Sequence, residues 1–175
     1  MPLKIIVLEG PDGGGKSTLA KHLGNDYGYR VIPMGVPPLE AQKDHNKLFD
    51  FFDTPLAEAI GKKQNTVFDR LHLSERIYGP LIRNSTLFTE EEEFVIDYLI
   101  QRNWGQVVLC LPPYEHAFKA WSSRKESEYV KNALLFIEVY KKYEKLIGKK
   151  YMLYDYTRHH VATFAKALTI LEPAP

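Results

Sequence analysis

Short solid apolar runs alternate along the chain with amphipathic stretches of helical period. The runs at about 3–9, 29–33, 66–69, 106–111 and 150–155 are rich in Val, Ile, Leu and Tyr and predict five buried strands. Between them the periodicity predicts helices near 16–26, 39–62, 71–83, 89–103, 113–145 and 159–171. Two of these should be interrupted, 39–62 at Pro55 and 113–145 at least once. Thr89 followed by Glu90 to Glu93 is a capped helix start, with carboxylates at the positive end of the helix dipole. Because strands and helices alternate, right-handed crossovers give a three-layer α/β/α sandwich around a five-stranded parallel sheet. Ligands then bind at the C-terminal edge of the strands. No repeat, low-complexity tract or linker breaks the pattern, so residues 1–175 are expected to form a single domain.

The junction between the first strand and the first helix carries the chemistry. Residues 10 to 17 read GPDGGGKS, which satisfies G-x-x-x-x-G-K-[ST] in the strand–loop–helix context that a phosphate-binding loop requires. Gly10, Gly13, Gly14 and Gly15 let successive N–H groups turn inward toward an anion, and the helix N-terminus adds partial positive charge behind them. Lys16 then reaches the β- and γ-phosphates, Ser17 offers a hydroxyl to Mg²⁺, and Thr18 follows in the first helical turn of the same donor site. This stretch predicts a nucleoside triphosphate site.

Composition narrows the setting. A hydrophobic fraction of 45% and a charged fraction of 26% suit a soluble globular protein, and a net charge of +1 argues against a broad nucleic-acid footprint. The one cysteine, Cys110, lies inside an apolar run and reads as a buried strand thiol, which suits a reducing cytosol. No apolar stretch approaches the length of a membrane span and no signal-peptide pattern opens the chain, so a cytoplasmic location is expected.

A phosphate loop alone does not separate motors, switches and kinases, so the segment TVFDRLHLSERIYGPLIR (residues 66 to 83) decides more. Asp69 and Arg70 fall at the C-terminal tip of the third strand, where a carboxylate can serve Mg²⁺ and an arginine can grip a second phosphate bidentately. On the helix that follows, Leu73, Ile77 and Leu81 form a buried stripe. Arg70, Ser74 and Tyr78 form another that begins at the strand tip and so can face the site, and Arg83 closes the segment. Residue types alone leave open a structural N-cap aspartate with surface arginines.

The strings LEGPDGGGKST and DR-x-x-L-S-x-x-x-Y-G resemble the thymidylate kinase family of P-loop nucleoside monophosphate kinases, whose fold the deoxynucleoside kinases share. The likeness is detailed over these two blocks and agrees in element order over most of the chain. It implies a P-loop kinase fold, ATP and Mg²⁺ as cofactors, and Asp12 on the sugar 3′-hydroxyl of the acceptor. It also implies Asp69 on Mg²⁺, Arg70 on the acceptor phosphate, and Tyr78 beneath the sugar, disfavouring a 2′-hydroxyl. The resemblance further implies a lid at about 115–130, where Lys119, Arg124 and Lys125 occur, with Arg124 neutralising the transferred group; a plain basic helix face is the other reading of these residues. Arg158, after the last strand, would stack on the adenine. Homodimers are common in that family.

The chain departs from the family on the acceptor side. No arginine occurs between Arg30 and Arg70, where the family presents one for the acceptor phosphate and another for the base, and Lys43 or Lys47 lacks the bidentate fork. Glu75 stands where an amide or small residue is usual near the base, and Phe49, Phe51 and Phe52 offer an aromatic wall or core packing. Transfer from ATP to a deoxynucleoside monophosphate, a pyrimidine such as dTMP, is the leading expectation. The missing arginines and the lysines at 141, 142, 145, 149 and 150 motivate a second, a hydroxyl acceptor on a deoxynucleoside or on a modified pyrimidine within DNA. A nucleotide-binding switch without an acceptor is the third. The chain has no Asn-Lys-x-Asp string to support it.

Overall fold

The strand that leads into the phosphate loop, β1 (Ile5–Glu9), is buried at every position and stands at the centre of the sheet. The computed structural model describes residues 3–84, 89–123, 132–148 and 150–170. β2 (Arg30–Pro33), β3 (Thr66–Asp69), β4 (Gln106–Cys110) and β5 (Met152–Tyr154) complete the sheet in the order β2-β3-β1-β4-β5, every pairing parallel. Register sets Leu8 beside Asp69 and Glu9 beside Leu109, so the phosphate loop, Asp69 and Arg70 share the C-terminal edge.

Alternation along β1 assigns the layers, as expected of a parallel strand covered on both faces. Ile5 and Val7 pack with Leu48, Phe52, Leu56 and Ala59 of α2 (His45–Gly61) and with Ile96 and Ile100 of α4 (Glu90–Arg102). Ile6 and Leu8 face the opposite layer, Leu19 and Leu23 of α1 (Lys16–Tyr27) and Ala165 and Leu168 of α7 (Val161–Ile170). A third cluster joins α3 (His72–Tyr78) to α5 (Tyr114–Ser122) and α6 (Ala133–Glu144) through Ile77, Leu109, Trp121, Phe136 and Tyr143. Trp121 is a packing residue, stacked on Phe136 at 4.6 Å. Cys110 is buried, and burial pushes its thiol far up from its ordinary value, away from reactivity. The Thr89 capping box forms as expected.

Three features differ from expectation, the first being that the helix expected from 39 begins at His45, after a 3₁₀ turn at Ala41–Lys43. Helix α2 runs unbroken through Pro55, because Leu48, Phe52, Leu56 and Ala59 bury on both sides of it and hold the two halves on one core. The stretch predicted as a helix over 71–83 is α3 followed by a π-type turn at Gly79–Arg83, where Gly79 and Pro80 break the α-helical ladder. Of the stretch 113–145, α5 and α6 are described, whereas 124–131, with Arg124 and Lys125, lies outside the described residues. Among the described residues no helix is long and apolar enough to cross a membrane.

Candidate active site

The phosphate loop curls over the C-terminal ends of β1 and β4. Gly10 (φ 144°) and Gly13 (φ 78°) occupy conformations that a side chain rarely adopts. A Cβ at Gly10 would run into the Cys110 carbonyl, and one at Gly13 into the Ala117 carbonyl of α5. Gly13→Ala is therefore expected to destabilise the fold by about 3 kcal/mol, read as a drop in urea midpoint, and to abolish nucleotide binding. Helix α1 starts just beyond Gly15 with no side-chain cap, which leaves its first N–H groups facing the loop for an anion. Together these elements line a hollow of about 110 Å³ between the loop, Met34 and Asp69.

Lys16 is buried and folds back on the loop, donating to the carbonyls of Gly10 (2.9 Å) and Pro11 (2.7 Å). Burial, reinforced by the Arg70 charge, lowers its pKa from 10.5 to about 8. Between about 8 and 10.5 the unfolded chain binds more protons than the ligand-free fold, so this group makes stability rise with pH through that window. Phosphates favour the charged amine, so triphosphate binding takes up a proton above pH 8. Affinity for ATP should then fall by about tenfold per pH unit beyond that point, and calorimetry in two buffers of different ionisation enthalpy should record the proton uptake.

Ser17 donates its hydroxyl to Asp69 Oδ2 at 2.7 Å, which brings two hard oxygen donors from two elements to one edge of the hollow. Mg²⁺ takes one or two protein oxygens with phosphates and water completing its shell, so the pair fits it. Thr18 is exposed on the first turn of α1 beside Ser17.

Arg70 is the residue the fold goes furthest to hold. Its φ is 76°, a left-handed backbone for a bulky residue, and its N–H donates to Leu8 O at 2.9 Å. Its guanidinium donates to Gly10 O (3.0 Å), to Ser74 Oγ (3.3 Å) and to the Asp12 carboxylate, and lies 4.8 Å from the Tyr78 ring centroid. Burial pushes the Tyr78 phenol up to about 12. Asp12 and Arg70, with Met34, also border a second cavity of about 180 Å³ that opens beside the phosphate hollow. Ser74 and Tyr78, of the stripe that begins at Arg70, line it together with Glu75 and Arg83. Glu75 and Arg83 form an ion pair there, both largely withdrawn from solvent. Met34, Gly35, Val36 and Pro37 close the β2 side without a cation; Lys43 and Lys47 are exposed and do not line this cavity, Lys47 bordering an adjoining hollow that shares Met34, Gly35 and Val36.

The aromatic wall is Phe52 rather than Phe49. The buried stripe of α2 turns Phe52 to the cavity, while Phe49 packs against the core beneath β1 and β3. Arg158 is 79% exposed on the β5–α7 loop, 3.5 Å from Asp155, and neighbouring Tyr156 packs against Gly15, which puts this loop beside the phosphate hollow. Lys119 is exposed on α5. Lys141, Lys142 and Lys145 form a solvated face, and Lys150 pairs with Asp97 at 2.6 Å. Two residues absent from the sequence reading lie beneath the site, Glu9 and Tyr143, both wholly buried. The one signal for Glu9 is a carboxylate ending an otherwise apolar strand.

No protein-family model matches the chain. A segment of 62 residues is 39% identical to the cytidylate kinase of Acinetobacter baylyi, 34% of this chain and 27% of that protein. A segment of 111 residues is 29% identical to the SPbeta prophage-derived uncharacterized protein YorR of Bacillus subtilis, 63% of this chain and 64% of that one. The chain thus spans about a quarter and just under two thirds of these curated relatives. The crystal structure of YorR in complex with phosphorylated GDP matches with a TM-score of 0.75 at 24% identity, over 94% of this chain and 93% of that one. Deoxyadenosine kinase from M. mycoides with bound dATP matches with a TM-score of 0.60 at 18% identity, over 94% and 97% of the two chains. Sheet order, phosphate loop and structural neighbours give this chain the fold of the P-loop nucleoside and nucleotide kinases.

Proposed function

We propose that the chain is an ATP-dependent kinase that transfers the γ-phosphoryl group to a deoxynucleoside monophosphate, with a pyrimidine of the dTMP kind as acceptor. The observation that carries this reading is the meeting of two cavities at Asp12 and Arg70, one shaped by the phosphate loop and the other by α3 and the exit of β2. A hydrolase or switch needs only the first. In the second, Arg70 grips the acceptor phosphate, Asp12 turns from Arg70 to the sugar hydroxyl, Tyr78 packs beneath the sugar and Phe52 against the base. Glu75 accepts and Arg83 donates, which matches a base edge with adjacent donor and acceptor groups, such as N3–H beside O4 of thymine. The nucleotide ligands of YorR and of deoxyadenosine kinase support nucleotides as the substrate class.

On the donor side Lys16 moves from its two loop carbonyls to the β- and γ-phosphates, and the N–H groups of Gly13 to Ser17 cradle them. Ser17 and Asp69 would hold Mg²⁺, which would supply positive charge against the donor phosphates. Arg158 would flank the adenine, and Arg124 is proposed to neutralise the transferred group. Catalysis is then positioning and charge stabilisation, with no covalent intermediate.

One observation favours a second reading, a hydroxyl acceptor. Among the described residues lining the acceptor cavity the cations are Arg70 and Arg83, and each is already paired with a carboxylate, Asp12 and Glu75 respectively. Assaying dTMP and the other deoxynucleoside monophosphates beside their nucleosides separates the two. Turnover of monophosphates alone supports the first reading; turnover of nucleosides alone contradicts it. A modified pyrimidine in DNA belongs to the second reading, and binding that weakens steeply with salt would mark it.

A further inference from the structure

Beneath Arg70 lies a buried cluster built on Glu9 and Tyr143, neither of which lines a substrate cavity. Glu9, at the end of β1, is 0% exposed and carries a carboxylate. One of its oxygens accepts the Leu71 N–H at 2.8 Å, and the other accepts the Ser74 hydroxyl and stands 3.5 Å from the Tyr143 hydroxyl. Ser74 has one proton to give, and Glu9 receives it. The Tyr143 hydroxyl, 2.9 Å from Ser74 Oγ, is then the donor in that pair, and Arg70 donates to the same oxygen. Burial first, then the Glu9 charge, holds the Tyr143 phenol well above its ordinary value, so it remains a donor.

We infer that Glu9, acting through Ser74, Leu71 and Tyr143, is a positioning residue that fixes Arg70 in its left-handed conformation and aims its guanidinium into the acceptor cavity. This rests on the reading that Arg70 grips the acceptor phosphate. A left-handed backbone at a bulky residue relaxes unless its neighbours over-determine it. Here the Leu71 N–H, one residue on, is tied to Glu9, and the Arg70 side chain is tied to Glu9 through one shared hydroxyl. A buried carboxylate is costly without donors, so it draws these groups onto one point. Asp12 also holds Arg70, but it borders the cavity and is the partner an acceptor displaces. The support from Glu9 lies underneath and stays. Tyr143 adds α6 to the arrangement, so three separate segments of chain converge on the placement of one guanidinium.

The experiment is steady-state kinetics of the full chain with ATP and dTMP for Tyr143→Phe, Glu9→Gln and Arg70→Ala. Tyr143→Phe removes one hydroxyl that lines neither substrate cavity. It is expected to raise the KM for dTMP roughly tenfold while the KM for ATP stays within about twofold, and Glu9→Gln should shift the same constant further. A merely structural role would lower the active fraction and leave both KM values alone, and that result for Tyr143→Phe overturns the inference. It decides even where Glu9→Gln fails to fold. If Arg70→Ala raises the KM for dTMP and Tyr143→Phe does not, this inference falls while the acceptor reading stands. If Arg70→Ala leaves it unchanged, the acceptor reading falls and takes this inference with it.

Discussion

Replacing Lys16 with alanine is expected to lower kcat/KM for phosphoryl transfer by about 10³-fold while leaving the fold as stable as before, or more so. The two halves of that expectation have one origin. Lys16 is the cation inside the loop, buried against Gly10 and Pro11, and its environment disfavours its charge enough to bring its pKa to about 8. A group whose charged form is disfavoured in the ligand-free fold does not stabilise that fold through its charge. In the proposed function its use lies with the donor phosphates, where charge builds on the transferred group. Kinetics and calorimetry on the same variant check both halves. Transfer within tenfold of the parent protein would show that the loop lysine is not engaged with the donor.

Arg70 should give the second large effect, and a comparison of two variants isolates its cause. Arg70→Ala and Arg70→Gly both remove the guanidinium, and both are expected to raise the KM of the acceptor roughly 100-fold, the value of a bidentate charged contact. They should differ in stability. At φ 76° alanine keeps the backbone strain and glycine relieves it, so Arg70→Gly is expected to be more stable than Arg70→Ala by about 1 kcal/mol. Equal unfolding midpoints would mean the left-handed conformation stores no strain. The pairing of Arg70 with Asp12 shapes the kinetics too. In the proposed function the acceptor displaces that carboxylate, so Asp12→Asn should weaken the hold on Arg70 in the free protein as well as the proposed grip on the sugar.

What the sequence carried was whatever neighbouring positions encode. The phosphate loop, Asp69-Arg70 and the Thr89 cap lie in contiguous strings, and five apolar runs gave the five strands to within about two residues. Pro55 misled because a local rule was overridden by the burial of Leu48, Phe52, Leu56 and Ala59 around it. The same stripe, followed one step further, marks Phe52 rather than Phe49 for the cavity. The support under Arg70 was out of reach for a different reason. Glu9 meets Leu71, Ser74 and Tyr143 across 62, 65 and 134 positions of chain, and only the sheet order brings them together. The Glu75–Arg83 pair spans eight residues but depends on the π-type turn that Gly79-Pro80 imposes, which periodicity does not reveal.

In the proposed function the hollow under the phosphate loop is half of a two-substrate site. The most direct measurement is the fate of label from γ-labelled ATP incubated with the chain, Mg²⁺ and each deoxynucleoside monophosphate in turn. Label is expected in a deoxynucleoside diphosphate, formed fastest from a pyrimidine monophosphate and lost with Arg70→Ala. Label released only as inorganic phosphate, at a rate indifferent to every monophosphate, would contradict the two-substrate reading.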